Sequence, residues 1–522
     1  MKSKPVKTNK EIENKSEIKF DGKPDAKSIA RSVGYYMGIA LIILLAYTLQ
    51  GTLFATATIS KIQMGMIVAL LVTGAVFVWI RGKGKLTDDR AVFLLIVVGW
   101  IMRIGYMLYT PCNIRSHDLG KIDVNGYMHA AYLLPLIKNG HLPGNNWGQF
   151  YQQPLFYLLG AGISKILNGI MGRTADIYLV DAAKTVSCFA SCALLLLVND
   201  FGKFLKQKRN GRLLAMAIIV FLPQYYLLAG RVNVDSLAVF LMAGAILYTF
   251  RWQQDKTVKN TVILALFYGL GMMTKITCGV IAVFTAWVML KALLKDRKTA
   301  KKEKILPKLF LFGAISFPLG LWYSIRNYRL FGQELTYVVG VANGPDSDLY
   351  VGNVPYFQRF VSLDLSNLFA TPYASPVDNY NYPVYLLKTA LFGEFTYNVE
   401  AYIPTILLFT GFVLTVLFVF CWLFVKKEGV YRQLSAVSAL LLLFGVYFNV
   451  SSPYGCSMDF RYLAVLPVPW ALLSGYLFDK GEEVKIRLLP FNREAVWYGK
   501  YLAVTGILAF SLFSVLMYVN IR

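Results

Sequence analysis

The stretch "IRSHDLGKIDVNGYMHAAYLLPLIKNGHLP", residues 114–143, gathers two Asp, three His and several Gly in a chain that is otherwise mostly apolar. Asp118 lies in "RSHDLGK", just past the end of an apolar run, with His117 beside it. A carboxylate held where a membrane bundle meets water can take a proton from a hydroxyl, which is general-base chemistry. The bland alternative is a solvated loop Asp. Asp123 precedes a helical pattern through Val124, Tyr127, Ala131 and Leu134, which closes at Asn139-Gly140 with Pro143 beyond. It reads as the N-cap of that helix. Pro135 reads as a kink, His129 as structural, and the whole as an amphipathic helix lying in a membrane interface.

The elements that hold this loop follow from composition. Of 522 residues 56% are hydrophobic and only 16% charged, where soluble domains carry about 25% charged; the mean hydropathy is +0.51. Repeated apolar runs have the roughly 17–25 residues needed to cross a bilayer. The chain reads as an all-α polytopic membrane protein. A net charge of +24 does not indicate nucleic-acid binding, because the basic residues fall in short loops between apolar runs, as the positive-inside rule requires. The six Cys show no metal spacing and no disulfide framework. Cys188 and Cys192 share a helix face and read as packing. Cys112 and Cys456 are a candidate bridge if they lie on one side.

About thirteen spans are expected: 33–54, 64–80, 91–109, 179–198, 213–228, 236–250, 261–274, 277–294, 306–325, 403–425, 434–450, 462–478 and 501–519. The run 154–167 is ambiguous. If it spanned, "KQKRNGR" and "KDRKTAKKEK" would face outward against the charge rule, so it is placed in the interface. This threading puts "RGKGK", "KKEGVYR" and "EEVKIR" inside as well, with the N-terminus cytoplasmic and the C-terminus extracytoplasmic. Residues 1–32, polar and Lys-rich, are expected to form a disordered cytoplasmic tail, and residues 33–90 two additional spans. Residues 91–478 hold the main transmembrane module, with outer loops at 110–178 and 326–402. Residues 479–522 supply a cytoplasmic loop and the last span. Loops of that length in a membrane bundle are usually functional when they are not disordered.

"SHD", "GYMHAAYLL", "NGHLP" and "FYQQPLFYLL" resemble the first outer loop of the protein O-mannosyltransferase-like glycosyltransferases, family 39 of the large GT-C type. "GRVNVDSLAVFL", "GLGMMTKITCGV", "LWYSIRNYRLFG", "PVYLLKTALFGEF" and "DFRYLAVLPVPW" follow in the matching order. Gln153-Pro154 stands where the family has Pro-Pro, and Tyr127 where it has His. The resemblance implies a GT-C-type bundle, a polyprenyl-phosphate-linked sugar as donor, and Asp118 as catalytic base. A lipid phosphate is a fair leaving group, so one base can suffice.

The same resemblance gives a role to cations at the outer ends of spans, which would stabilise the leaving phosphate: Lys275 in the tight turn "MMTKIT", Arg461, Arg231 and Arg326. Each would otherwise simply snorkel to the interface. Asp235 either positions Arg231 or, the preferred reading, caps its own helix. His117, Asp123 and Tyr151 complete the expected substrate-binding set. The Tyr- and Asn-rich second loop suits a sugar's apolar faces and hydroxyls, and "PVYLLKTALFGEF" is expected on the membrane surface. No cofactor is required by this chemistry, a divalent metal stays open, and the acceptor is a protein, glycolipid or wall polymer. The alternative function is a transporter or flippase of lipid-linked sugars, for which intramembrane Arg103 is the chief signal.

Overall fold

The computed structural model describes residues 26–521, apart from 54–55, 57, 296–300, 302, 336, 338, 378–379 and 484–491. Most of the expected tail, residues 1–25, and much of the loops "KDRKTAKKEK" and "EEVKIR" lie outside the described residues. Helix α1 (Ala26–Thr52) begins within the stretch expected as tail, and is followed by α2 (Ile59–Gly82) and α3 (Asp88–Tyr109). The first outer loop holds α4 (His129–Asn139), α5 (Leu155–Met171) and α6 (Asp176–Ala182). Next come α7 (Lys184–Phe204), α8 (Arg209–Phe221), α9 (Gln224–Ala229), α10 (Asp235–Gln254), α11 (Val258–Thr274), α12 (Ala282–Lys295) and α13 (Ile305–Phe331). The second loop carries α14 (Leu365–Ala370) and α15 (Tyr382–Phe392), before α16 (Tyr402–Phe424), α17 (Gly429–Ser451), α18 (Pro467–Lys480) and α19 (Asn492–Val519). The fold is all-α; among the described residues β structure is limited to isolated bridges, such as that between Tyr350 and Tyr454.

Among the described residues nine helices are long and apolar enough to span, or ten if Gly455–Leu463 and α18, bent by 52°, form one broken span. Thirteen were expected, and the difference lies in α8, α10 and α11. Helix α8 has 13 residues and so rises about 20 Å, short of the roughly 30 Å hydrocarbon core. Pro223 stops it. Helix α11 has 17 residues, and α10, although 20 residues long, carries Asp235 in its first turn and Arg251, Gln253 and Gln254 at its end.

Local chemistry sets the helix ends that matter. Thr87 caps α3 by accepting from the Arg90 N–H at 3.3 Å, with Asp88 and Asp89 in the first turn, where carboxylates oppose the positive end of the helix dipole. Arg103 in α3 is fully buried. It donates to the Ile219 and Val220 carbonyls at 2.9 and 3.2 Å, to Gly99 O and to Ser191 Oγ. Those carbonyls belong to the last turn of α8, freed because the helix stops before Pro223. Arg103 is thus a staple for a broken helix, and it loses its value as a sign of transport.

The bundle has two charged ends. At one, Asp89 pairs with Lys203 and Arg212 at 3.2 and 2.9 Å, and Asp479 accepts from the Lys208 and Gly211 N–H groups. At the other end of α3, the first loop begins. Asp181 accepts the Cys112 N–H at 2.8 Å, and Lys184 bonds both Asp181 and the Thr110 carbonyl at 2.9 Å. This buried pair moors the start of the loop to α6 and α7.

Helix α4 starts at His129, five residues later than its pattern implied, with Met128 in the capping position. Its first two amides donate to the carbonyls of Asp118 and Leu119, at 3.0 and 3.1 Å, so the Asp118 loop itself caps the helix. Gly140, at φ 72°, ends it in a left-handed cap, and Pro135 lies inside as expected. Eight of its eleven residues are buried, and Tyr132 stacks on Tyr157 at 3.7 Å. It is packed among other protein segments over most of its surface. Helix α15 is likewise buried through Tyr385, Lys388 and Phe392. Cys112 and Cys456 are both free thiols.

Candidate active site

Four chain segments converge beside the end of α3. The first loop brings His117 and Asp118. The turn between α9 and α10 brings Arg231, the α15–α16 connection brings Glu394, and the 3₁₀ turns before α18 bring Asp459 and Arg461. Gly393, at φ 61°, makes the turn that presents Glu394, and a Cβ there would meet Arg231 Nη2 at 2.9 Å. Gly455 packs directly on the Pro376 carbonyl with no room for a side chain. That contact docks the second loop onto the turn that carries Asp459.

Arg461 is the hub. Its Nη1 lies 3.2 Å from Asp118 Oδ2, its Nη2 donates to Tyr462 Oη at 3.2 Å, and its Nε sits 3.7 Å from Asp459 Oδ2. Asp118 adopts the left-handed region at φ 57°, an uncommon conformation for a residue with a Cβ, and strain of this kind gathers at functional sites. Its side chain is 35% exposed, against 9% for Glu394 and 0% for Asp459. Asp118 is therefore the carboxylate of this group that an incoming molecule can reach.

Burial pushes the Asp118 carboxyl up, but the charge and hydrogen bond of Arg461, with His129, outweigh it and hold the group below the usual carboxylate range. It is ionised at neutral pH and able to accept a proton. His117 places Nδ1 3.3 Å from Glu394 Oε2 and Nε2 3.4 Å from Asp459 Oδ2. Burial first, then Arg461 and Arg231, hold it well below the usual imidazole value. These are contacts of a neutral ring and not ion pairs. Burial, followed by the facing Asp459, raises Glu394 to about 7, and Tyr385 donates to its Oε1.

Arg231 is 2% exposed. Its Nε donates to the Arg115 carbonyl at 3.2 Å and its guanidinium lies 4.8 Å from the Phe395 ring centre, yet both Nη atoms are buried without a hydrogen-bond partner. An unsatisfied buried guanidinium is costly and calls for an anion or ordered solvent. The snorkelling alternative is thereby excluded for Arg231 and for buried Arg461. Lys275 is not free either: its Nζ lies 2.6 Å from Asp235 Oδ1 and 4.8 Å from the Tyr462 ring centre. Asp235 is consequently an ion-pair partner and not the cap of its helix, which is supplied by Asn233 Oδ1 accepting the Asp235 N–H at 2.7 Å.

The other expected residues separate. Tyr151 stays near, partly buried and within electrostatic reach of Asp118 and Arg461, with its ring 5.6 Å from that of Tyr337. Arg326 instead ties the first loop together by donating to the Pro143 carbonyl and to Asn327 Oδ1, both at 2.8 Å. Asp123 does not cap α4; it accepts from the Asn125 N–H at 3.0 Å in a local turn of the first loop. His129 is structural as expected, buried with Nδ1 2.6 Å from Tyr157 Oη. The sequence reading missed Glu394 and Asp459. Both lie inside quoted motifs, "FGEF" and "DFRY", and an acid in a short polar break between apolar runs was the available signal.

Residues 176–322 match the family described as "Dolichyl-phosphate-mannose-protein mannosyltransferase". No curated protein sequence matches significantly. Among solved structures the chain is similar to ArnT from Cupriavidus metallidurans bound to undecaprenyl phosphate, with TM-score 0.44 and 10% identity over 83% of this chain and 75% of that one. It is also similar to the Archaeoglobus fulgidus oligosaccharyltransferase in its apo form, with TM-score 0.44 and 14% identity over 82% of this chain and 56% of that one. AglB from the same organism, in complex with an inhibitory peptide and a dolichol-phosphate, gives TM-score 0.40 and 12% identity over 83% and 56%. The chain thus spans little more than half the length of the archaeal enzymes. The family match is confined to the central spans, and over those residues the chain is similar to that mannosyltransferase family.

Proposed function

We propose that the protein moves a sugar from a polyprenyl-phosphate carrier to a hydroxyl acceptor on the extracytoplasmic face of the cell membrane, with Asp118 as general base. One observation carries the reading: an accessible, ionised carboxylate sits beside buried cations, two of whose Nη atoms have no partner. Asp118 takes the acceptor's proton as its oxygen attacks the anomeric carbon. The bond from that carbon to the phosphate oxygen breaks, and the lipid phosphate leaves with the electron pair. Attack opposite the leaving group inverts the anomeric centre. Arg231 offers its free Nη pair to the phosphate, and a guanidinium suits such bidentate contacts. Arg461 holds Asp118 in place, the Lys275–Asp235 pair borders the site, and Tyr151 and His117 line the approach.

The orientation rests on charge. The end opposite the site carries Lys203, Lys206, Lys208, Arg209 and Arg212, which the positive-inside rule places in the cytoplasm. The N-terminus is then cytoplasmic, and the site and C-terminus lie outside. The acceptor class stays as broad as protein, glycolipid or wall polymer. Replacing Asp118 by Asn keeps the shape and removes the proton acceptor, so transfer from polyprenyl-phosphate sugars should fall by about 10²–10⁴ with donor binding retained. Asp123→Asn should be near wild type, since its turn lies outside the cluster. A dead Asp123 variant beside an active Asp118 variant would overturn the assignment.

A further inference from the structure

We infer that His117, Glu394 and Asp459 form a binding site for a divalent transition ion, with Zn²⁺ the ion that their donor set fits best. One atom from each, an imidazole nitrogen and two carboxylate oxygens, lies within 4.8 Å of the other two. The arrangement is poor as a hydrogen-bonded triad. The His117–acid separations of 3.3 and 3.4 Å exceed the usual N–H···O range of about 2.7–3.2 Å. Both His117 Nε2 and Asp459 Oδ2 are buried with no hydrogen-bond partner, although they stand only 3.4 Å apart. Two unpartnered donor atoms this close are placed to share an ion.

An ion explains the spacing. Ligands about 2.0–2.1 Å from a tetrahedral Zn²⁺ are separated from one another by roughly 3.3–3.4 Å, the edge of that tetrahedron. His117 Nε2 and Asp459 Oδ2 already stand 3.4 Å apart. Glu394 is the third arm: its ligand atom lies within 4.8 Å of the other two. The imidazole argues for a transition ion over Mg²⁺ or Ca²⁺, which prefer all-oxygen sites. Three protein ligands leave a fourth position open.

The local charges also permit it. Lys275 and Asp235 neutralise each other at 2.6 Å, and Arg115 is turned towards the Tyr106 and Tyr397 rings. What remains is Asp118, Glu394 and Asp459 against Arg461 and Arg231, and Arg461 is shared between two of the acids. The group carries one negative charge in excess when all are ionised. A divalent ion would reverse that sign at a site built to receive a phosphate. It would also pin together three segments far apart in the chain: the first loop, the α15–α16 connection and the turn before α18. This inference goes beyond the proposed transfer reaction and is tested by binding alone.

The full-length protein, purified in detergent and stripped with chelator, is titrated with ZnCl₂ and checked by elemental analysis. Wild type should take up close to one equivalent, and His117→Gln and Glu394→Gln should each weaken binding at least about tenfold, the scale seen even for lost outer-shell partners. Asp118→Asn, which removes no ligand, should bind as wild type whether or not it transfers sugar, so failure here and failure of the base assignment are separately visible. Co²⁺ should give a visible absorption band that His117→Gln removes, an independent reading of the imidazole should Glu394→Gln fold poorly. No uptake by wild type, or equal uptake by both ligand variants, would overturn the site.

Discussion

Replacing Arg461 by Lys retains the positive charge and discards the geometry, so it isolates what the guanidinium contributes. Arg461 reaches Asp118 with Nη1, Tyr462 with Nη2 and Asp459 with Nε, at 3.2, 3.2 and 3.7 Å. These three directions diverge within one plane, and a compact ammonium on a flexible stem cannot satisfy them together. The variant should keep one contact and lose the one to Asp118 or to Asp459. A hydrogen bond to a charged group contributes about 1.5–3 kcal/mol, which is about 10- to 100-fold in rate if the bond is needed in the transition state. The assay is donor turnover at saturating acceptor, with melting temperature measured alongside. Turnover should drop by that factor while melting changes little, because the charge that balances buried Asp459 remains. Wild-type turnover in Arg461→Lys would show that the fork geometry is idle, and Arg461 would then be no more than a counter-ion.

Lys275→Ala leaves buried Asp235 without its partner, and breaking a buried pair from one side costs about 3–5 kcal/mol. Lys275→Ala should therefore melt lower, with Lys275→Ala/Asp235→Asn recovering most of the loss; equal melting of wild type and Lys275→Ala would show that the pair is not needed. Any turnover defect that persists in the double variant measures what Lys275 gives the donor site. Cysteines placed at Lys208 and Asp348 should label from opposite sides of the membrane, with position 348 outside. External labelling of position 208 alone would invert the topology and remove the outward site.

How much of this was legible beforehand differs by kind of residue. Asp118 stood out because a carboxylate just past a span has few structural excuses, and Lys275, Arg231 and Arg461 because cations at span ends are conspicuous in an apolar chain. Their pairings were not legible. Lys275 meets Asp235 from 40 positions away and Arg461 meets Asp118 from 343 away, and no local pattern encodes either distance. Asp123 and Asp235 were both read as helix caps from their immediate neighbours. Each assignment failed because a cap depends on where the helix begins, and the carbonyls of Asp118 and Leu119 and the Asn233 side chain had already supplied those ends. The span count failed for a related reason. Helix α8 is short and α10 is polar at both ends, so neither offers the unbroken apolar length that a span needs.

Glu394 and Asp459 show the same limit from the other side. Each is one acid in a short polar break, and alone each reads as a helix-end residue. Their meaning comes from His117, which lies between them at 3.3 and 3.4 Å although the three sit in three separate loops. Burial then does the rest. Glu394 at 9% and Asp459 at 0% side-chain exposure are closed off, whereas Asp118 at 35% is not. In the proposed reading, the one-residue step from His117 to Asp118 therefore separates two tasks. The His faces inward to Glu394 and Asp459, while the Asp, turned by its left-handed backbone, keeps an exposed edge for a hydroxyl. Moving the backbone at this point should disturb both tasks together, which is why a strained φ at Asp118 fits a functional turn better than a slack loop.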